Sequence, residues 1–200
     1  MTESKDQVQA VFPTGGGVPW SDHSACFFCA VARFFRPGYH NNLVSNWLPA
    51  LDGVVEKLER GAKVADVGCG HGWSTVLMAK AFPKSQFIHR LRLSPELDRA
   101  RGGACPGARR GGKHPLRGRD GHIEPMAGDK LEDNLNPVGR IYYAGSTMGC
   151  VPTSLSQDVG AALGAQAGEA KLREVITAGG FRNVRRATET PFNMILEARP

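Results

Sequence analysis

Apolar residues recur along the chain with two different periods. Between residues 42 and 60 they fall at steps of three and four, as on one face of a helix, and Gly61 ends this pattern. Residues 63–67 form a short, mostly apolar run that leads into a glycine cluster, which predicts a buried strand. The pattern then predicts a helix over 74–82 and the start of a second strand at 86–88. Strand, glycine turn, helix and strand within about 30 residues have the length of a βαβ unit.

The two ends of the chain differ in their apolar pattern. Residues 1–24 show no periodic pattern and contain several turn-forming residues, so we expect them to be irregular. Near the other end a helix is predicted over 169–178, and two glycines follow it. The extended runs 181–188 and 191–198 predict an antiparallel pair that closes the chain.

The composition is that of a globular chain. With 200 residues, 41% hydrophobic and 22% charged, the chain is long enough to bury one continuous core. Its apolar runs fall well short of the roughly 20 residues of a membrane span, so we expect no membrane insertion. The N-terminus has no basic segment followed by an apolar one, so we expect no secretion and place the protein in the cytoplasm.

Cysteine spacing gives little indication of a metal site or a disulfide framework. Of the five cysteines only Cys26 and Cys29 form a CxxC pair, which is at most half of a zinc signature. Because the pair lies in an apolar, helix-like run, we expect buried structural cysteines and no metal. Nearby aromatic residues would either help to cover a ligand or pack in the core; they are Phe27, Phe28, Phe34, Phe35 and Tyr39.

The net charge of +6 is confined to one segment. Residues 89–122 hold eight Arg and one Lys against three acidic residues, and the rest of the chain is neutral. The segment also has seven Gly and three Pro, so its composition predicts a poorly ordered stretch that cannot supply a core strand. Such a basic run binds nucleic acid through phosphates in some proteins. We do not expect this here, because no aromatic residues interleave to stack bases.

A glycine-rich motif joins the first predicted strand to the helix after it. It reads Asp66-Val-Gly68-Cys-Gly70-His-Gly72, with Trp73 at the position where a GxGxxG dinucleotide motif would have its last glycine. Glycines accept positive φ and let a ligand approach the backbone closely. A carboxylate at the carboxyl end of a strand in an open α/β sheet would repel a pyrophosphate and attract an ammonium group.

These residues resemble motif I of the class I S-adenosylmethionine-dependent methyltransferases. The helix before the motif and the Phe-Pro-x-Ser-Gln-Phe-Ile stretch after it are similar to that family as well, and so are residues 123–200, which resemble its fifth strand, last helix and terminal hairpin. The nearest subgroup is the actinobacterial-type enzymes that often carry an N-terminal winged helix, which is not visible here. The resemblance implies an α/β, Rossmann-like class I methyltransferase fold.

The resemblance also implies a cofactor and its site. S-adenosyl-L-methionine would be the cofactor, with Gly68, Gly70 and Gly72 along its methionine and ribose part, Asp66 near its amino group and Cys69 beside it. The reaction would be methyl transfer to an acceptor that the sequence does not identify. No catalytic residue is assigned. The alternatives are an NAD(P)-binding Rossmann oxidoreductase and a non-catalytic nucleic-acid-binding remnant that uses the basic segment 89–122.

The chain departs from the family after the second strand. Where the family has an acidic residue that holds the ribose, this chain reads Ile88-His-Arg-Leu91. Between its second and fifth strands the family's fold has two further strands and three helices, which need roughly 70 residues. In this chain only the 34 residues 89–122 lie there. We therefore expect an incomplete fold without strands three and four, in which strand one lacks its central neighbour.

One hypothesis accounts for both the composition and the shortness of this segment. Residues 89–122 would be largely an out-of-frame reading, with an internal deletion before Ile123, and sequencing the gene would test this. The chain then divides into an irregular or helical cap (1–41), the first, cofactor-binding half of the domain (42–88), the anomalous basic segment (89–122) and the C-terminal part (123–200). We expect such a chain to bind its cofactor weakly and to methylate little or nothing. The sequence leaves the oligomeric state open.

Overall fold

The structure is a computed structural model that describes residues 4–90 and 120–200. It is a mixed α/β protein whose described strands form two small sheets. The helices are α1 (Lys5–Val11), α2 (Ala25–Asn42), α3 (Leu48–Ala50), α4 (Val54–Arg60), α5 (Trp73–Ala81), α6 (Pro137–Gly145), α7 (Val151–Leu155) and α8 (Gly168–Ala178). The strands are β1 (Lys63–Val67), β2 (Gln86–Arg90), β3 (Asp120–Pro125), β4 (Asn183–Glu189) and β5 (Asn193–Arg199). π-Helical turns occupy Leu43–Trp47 and Ser146–Cys150, and short 3-10 turns occupy Phe12–Thr14, Trp20–Asp22 and Glu132–Asn134.

The described residues group into two compact units. Those within Met1–Phe28 and Arg117–Pro200 form the first unit, and those within Cys29–Leu116 form the second. The first unit contains the sheet of β3, β5 and β4, and the second contains the sheet of β1 and β2.

The second unit contains the predicted βαβ sequence. β1 and β2 pair in parallel, with Lys63 opposite Gln86 and Ala65 opposite Ile88, and α5 lies between them in sequence. These elements confirm the predicted strands at 63–67 and from 86 onwards. They also confirm the helix predicted over 74–82, which begins and ends one residue earlier. The expectation of a buried first strand is wrong, because Val67 is 72% exposed. Among the described residues β1 pairs with β2 alone, so little covers this strand.

The first unit contains a three-stranded antiparallel sheet with the last strand in the middle. β5 pairs with β3 on one side and with β4 on the other, so the predicted closing antiparallel pair is confirmed. The predicted helix near 169–178 is confirmed as α8, which begins one residue earlier. Side chains of β5 and α8 form a core with the residues around them: Ala127, Ile176, Phe181, Met194, Leu196 and Ala198.

The helical prediction over 42–60 is partly wrong. Helical structure already begins at Ala25, and the chain turns at residues 51–53 before α4. Leu51 is extended and Gly53 has a φ of +64°, which is a left-handed conformation that glycine adopts at little cost. Gly61, with a φ of +103°, ends α4 as expected.

The expectation that residues 1–24 are irregular is wrong for residues 5–11. Residues 5–11 form α1, whose Val8 is almost fully buried. The helix is short and has only this one buried apolar residue, so it left no periodic pattern in the sequence. A local apolar pattern cannot reveal a helix that is held by a single anchoring contact.

The basic segment 89–122 lies mostly outside the described residues. Its two ends do belong to strands, because β2 extends to Arg90 and β3 begins at Asp120. These ends do not contradict the prediction that the segment supplies no core strand, because β3 lies at the edge of its described sheet and none of its residues is buried. The predicted disorder and the out-of-frame origin concern residues 91–119, outside the described part of the chain, and stay predictions.

Candidate functional site

The turn between β1 and α5 brings the predicted site residues together. Gly68, Gly70 and Gly72 have φ values of +73°, +54° and +77°, so each adopts a left-handed conformation that strains other residues. The Gly72 amide donates to the Cys69 carbonyl at 2.8 Å, which closes the turn directly before the helix. The alternating glycines of the motif are thus a backbone requirement of this turn.

Two of these glycines border open space. A methyl group placed on Gly68 or on Gly70 would have no described neighbouring atom within 4 Å. Gly15 has equally open surroundings, so open space does not by itself indicate a ligand. It permits a ligand to approach the backbone of the turn, and a side chain would take up part of that space.

Asp66 is the carboxylate at this turn. Its Oδ2 accepts hydrogen bonds from Ser74 Oγ at 2.6 Å and from Thr75 Oγ1 at 2.5 Å. Both hydroxyl-bearing residues are buried in the first turn of α5, where a negative charge is favoured by the helix dipole. The bonds fix the carboxylate between the strand and the helix. Both bonds end on Oδ2, so neither of these hydroxyls occupies Oδ1.

The other residues of the motif surround this carboxylate less closely. Cys69 is half-buried and His71 is exposed. Trp73 is the first residue of α5 and is 36% exposed. Arg36 of α2 places its guanidinium carbon 3.9 Å from the centre of the Trp73 ring, in a cation–π contact. Sequence reasoning missed Arg36, because a contact across 37 residues leaves no local pattern.

The remaining predicted features lie apart from this turn. Cys26 and Cys29 are exposed on α2, so the expectation of buried cysteines is wrong: their helix turns this CxxC pair outward. Among the described residues no group of three His, Cys, Asp or Glu side chains is arranged to hold a metal ion.

The aromatic residues of α2 make ring contacts at several points along the helix. Phe27 is almost fully buried and stacks on His23, and both Phe27 and Phe28 contact Trp20. Phe34 and Phe35 contact each other, and Tyr39 contacts Trp47. Of the two interpretations, core packing fits Phe27. It does not fit Phe34, which is 42% exposed.

The first unit contains one strongly perturbed acid. Burial raises the pKa of the Glu124 carboxyl in β3 to about 7. Burial also raises the pKa of the Cys150 thiol, and the negative charge of Glu124 adds to that effect. A carboxyl with such a pKa exchanges protons near neutral pH, a property that general acids and bases share with some structural groups.

The comparisons with known proteins assign no family. No protein-family model matches the chain, and no curated protein matches it. Within residues 4–90 and 120–200, no helix is both long and apolar enough to pass through a bilayer.

Proposed function

We propose that this chain is an S-adenosylmethionine-dependent methyltransferase by family and that the turn at residues 66–72 is its cofactor site. The main support is the geometry at the end of β1. Three glycines there have positive φ, an anchored carboxylate lies on the strand, and space is open next to Gly68 and Gly70. This is the arrangement that the resemblance to motif I implies.

The residues of the turn fit the methionine end of such a cofactor. Asp66 would bind the ammonium group through its remaining oxygen, and the hydroxyls of Ser74 and Thr75 hold that carboxylate in place. Gly68 and Gly70 would let the cofactor approach the backbone. A substituent on either glycine would compete with the cofactor for the same space.

The chemistry needs positioning more than it needs a protein nucleophile. S-adenosylmethionine, when bound, supplies a methyl group that is already activated on a sulfonium. The protein then has to orient the acceptor in line with that methyl group and to exclude water. The acceptor is not identified, and no described side chain is assigned a catalytic role.

The second half of the chain supports the same proposal by its order of elements. The resemblance implies a strand, a last helix and a terminal hairpin over residues 123–200. β3, α8 and the β4–β5 hairpin follow one another in that order, with further short helices between β3 and α8.

We expect the affinity for the cofactor to be low. The ribose-holding acid of the family has no counterpart in Ile88-His-Arg-Leu91. A hydrogen bond to a charged group contributes about 1.5–3 kcal/mol, so this loss weakens binding roughly tenfold or more. In addition, β1 has one pairing partner among the described strands, which leaves the base of the site weakly supported.

A dinucleotide-binding oxidoreductase is the rival function at the same turn. Its pyrophosphate would have to approach the Asp66 carboxylate, which repels it. Its motif would also need a glycine where Trp73 begins α5. Both features favour a ligand with an ammonium group over one with a pyrophosphate.

Titration with S-adenosylhomocysteine tests the proposal, with NADH as the comparison ligand. We expect saturable, weak binding of S-adenosylhomocysteine, measured by calorimetry up to millimolar concentrations, and no saturable binding of NADH. Binding of NADH alone, or of neither ligand, would contradict the proposal.

A pair of glycine variants locates the binding. Gly68→Ala should weaken S-adenosylhomocysteine binding, because the methyl group enters the open space at the turn. Gly15→Ala is the matched control: Gly15 has a similar φ of +66° and equally open surroundings, but it lies in the other unit. Each change costs about 1–2 kcal/mol of stability, because alanine is strained at a positive φ, and only the first should alter binding. Equal effects of the two variants would mean that the loss reflects folding.

A further inference from the structure

The contact between Arg36 and Trp73 lies directly beside the proposed cofactor turn. Arg36 comes from the middle of α2, and Trp73 follows Gly72 as the first residue of α5. The guanidinium carbon lies 3.9 Å from the centre of the indole ring, well inside the roughly 6 Å limit of a cation–π contact. Both residues belong to the second unit. The stacking therefore holds a positive charge against the side chain that directly follows Gly72.

This guanidinium has hydrogen-bonding capacity to spare. Stacking uses the flat face of an arginine side chain and leaves its edge, with five N–H donors, available. Arg36 is exposed, and among the described residues no carboxylate pairs with it. Arg173 and Arg186, by contrast, already pair with Glu169.

We propose that Arg36 binds the α-carboxylate of the cofactor's methionine end, an inference that rests on the proposed function. An α-amino acid group carries one positive and one negative charge about two bonds apart. Asp66, anchored at the strand end, would take the ammonium, and Arg36, held on Trp73, would take the carboxylate through its paired N–H groups. The two opposite charges would thus select ligands that carry a free amino acid group.

This pairing gives Trp73 a role in the motif. A glycine at this position would leave Arg36 without the ring on which it stacks. The large side chain thus favours a carboxylate-binding arginine, although it excludes the dinucleotide type of turn. Trp73 acts here as a positioning residue, since it would fix the arginine rather than touch the ligand's carboxylate.

A pair of ligands separates this role from binding in general. S-adenosylhomocysteine has the amino acid group, whereas 5′-methylthioadenosine has the same adenosine and sulfur without it. Arg36→Ala should weaken binding of S-adenosylhomocysteine about tenfold or more and leave binding of 5′-methylthioadenosine unchanged. Arg36→Lys keeps the charge but loses the paired donors, so it should give an intermediate loss.

NMR titration suits the weak binding expected here. The chain has three tryptophans, so the indole N–H signal of Trp73 is assigned by its disappearance in Trp73→Phe. In the wild type that signal should shift with S-adenosylhomocysteine, and Arg36→Ala should reduce the shift. Arg60→Ala, which removes an exposed arginine from α4 of the same unit, is the control for the change in net charge.

Each outcome decides between the two proposals. If Arg36→Ala leaves S-adenosylhomocysteine binding unchanged, or weakens both ligands equally, the role of Arg36 is refuted while the cofactor site stands. If Arg60→Ala weakens binding as much as Arg36→Ala, the effect is one of overall charge and the inference is also wrong. If the wild type binds neither ligand, the proposed function itself fails. A thermal melt of each variant confirms that it is folded.

Discussion

The two sheets of the protein differ in how completely they are buried. In the three-stranded sheet, every residue of β5 from Asn193 to Ala198 is buried, and Met194 and Leu196 have no exposed surface. In the two-stranded sheet, Val67 of β1 is 72% exposed and Ile88 of β2 is 53% exposed. The same chain thus contains one strand that is buried over most of its length and another in which exposed residues alternate with half-buried ones.

The difference follows from the number of pairing partners. β5 has a strand on each side and the apolar residues of α8 over one face, whereas β1 pairs with β2 alone among the described strands. Parallel sheets are normally covered on both faces, and a sheet of two strands is marginally stable by itself. We infer that the first unit supplies most of the chain's stability and that the unit with the glycine turn is the weaker one.

Truncation of one apolar side chain in each sheet tests this inference most strongly. Leu196→Ala removes side-chain carbons from a fully buried position and should lower the free energy of unfolding by about 2–5 kcal/mol. Ile88→Ala removes the same number of carbons from a half-exposed strand and should cost less than about 1 kcal/mol. Urea denaturation followed by circular dichroism measures both. Equal losses would refute the contrast between the sheets.

The three-stranded sheet should contribute to the pH dependence of stability through one carboxyl. Burial raises the pKa of Glu124 from 4.5 to about 7, so the folded protein holds this proton where the unfolded chain has released it. The contribution of Glu124 to the free energy of unfolding is therefore most favourable below pH 4.5, and it is lost as the pH rises to about 7. At about 1.4 kcal/mol per pKa unit, the loss approaches about 3 kcal/mol.

Glu124→Gln removes this dependence. We expect the variant to be more stable than the wild type at pH 8, by up to about 3 kcal/mol, and equally stable near pH 4. Glu132→Gln, at an exposed position, is the control. The difference in its free energy of unfolding between the two pH values should equal that of the wild type. Urea denaturation at both pH values gives the comparison. A gain for Glu124→Gln of the same size at both pH values would contradict the assignment to this carboxyl.

The sequence predicted the elements whose signals are local. The glycines of the turn, the stop at Gly61 and the two extended runs near the C-terminus all act within a few residues, and each is found in the structure. The site residues Asp66 to Gly72 were predicted together for the same reason. Their roles toward a cofactor stay predictions.

Features that depend on distant contacts escaped the sequence analysis. The burial of β5 and the exposure of β1 depend on how many strands pair with each, which no local pattern shows. The glycine- and proline-containing helix α6 was missed as well, although it had a local signal. Asn136 accepts a hydrogen bond from the Gly139 amide and precedes Pro137, which is a typical helix start.

Smaller effects than that of Leu196→Ala are expected where a carboxylate on a strand is replaced by its amide. Glu197 of β5 is 1% exposed and pairs with Arg185 at 2.5 Å and with Arg199 at 3.1 Å. Asp66 of β1 is half-buried and bound by two hydroxyl groups. Glu197→Gln leaves both arginines beside an uncharged amide, but they are 42% and 33% exposed and regain water. We therefore expect a loss of about 2 kcal/mol, below that of breaking a fully buried ion pair.

Asp66→Asn should cost about 1 kcal/mol or less, because the amide oxygen still accepts hydrogen bonds from Ser74 and Thr75. Thermal melts of both variants provide the measurement, and Glu174→Gln, in an exposed pair with Lys171, sets the baseline for a surface acid. A larger loss for Asp66→Asn than for Glu197→Gln would place the main stabilising charge in the two-stranded unit. That result would reverse the order of stability inferred for the two sheets, since a weakly covered sheet would then depend on its polar anchor more than a buried sheet depends on its ion pairs.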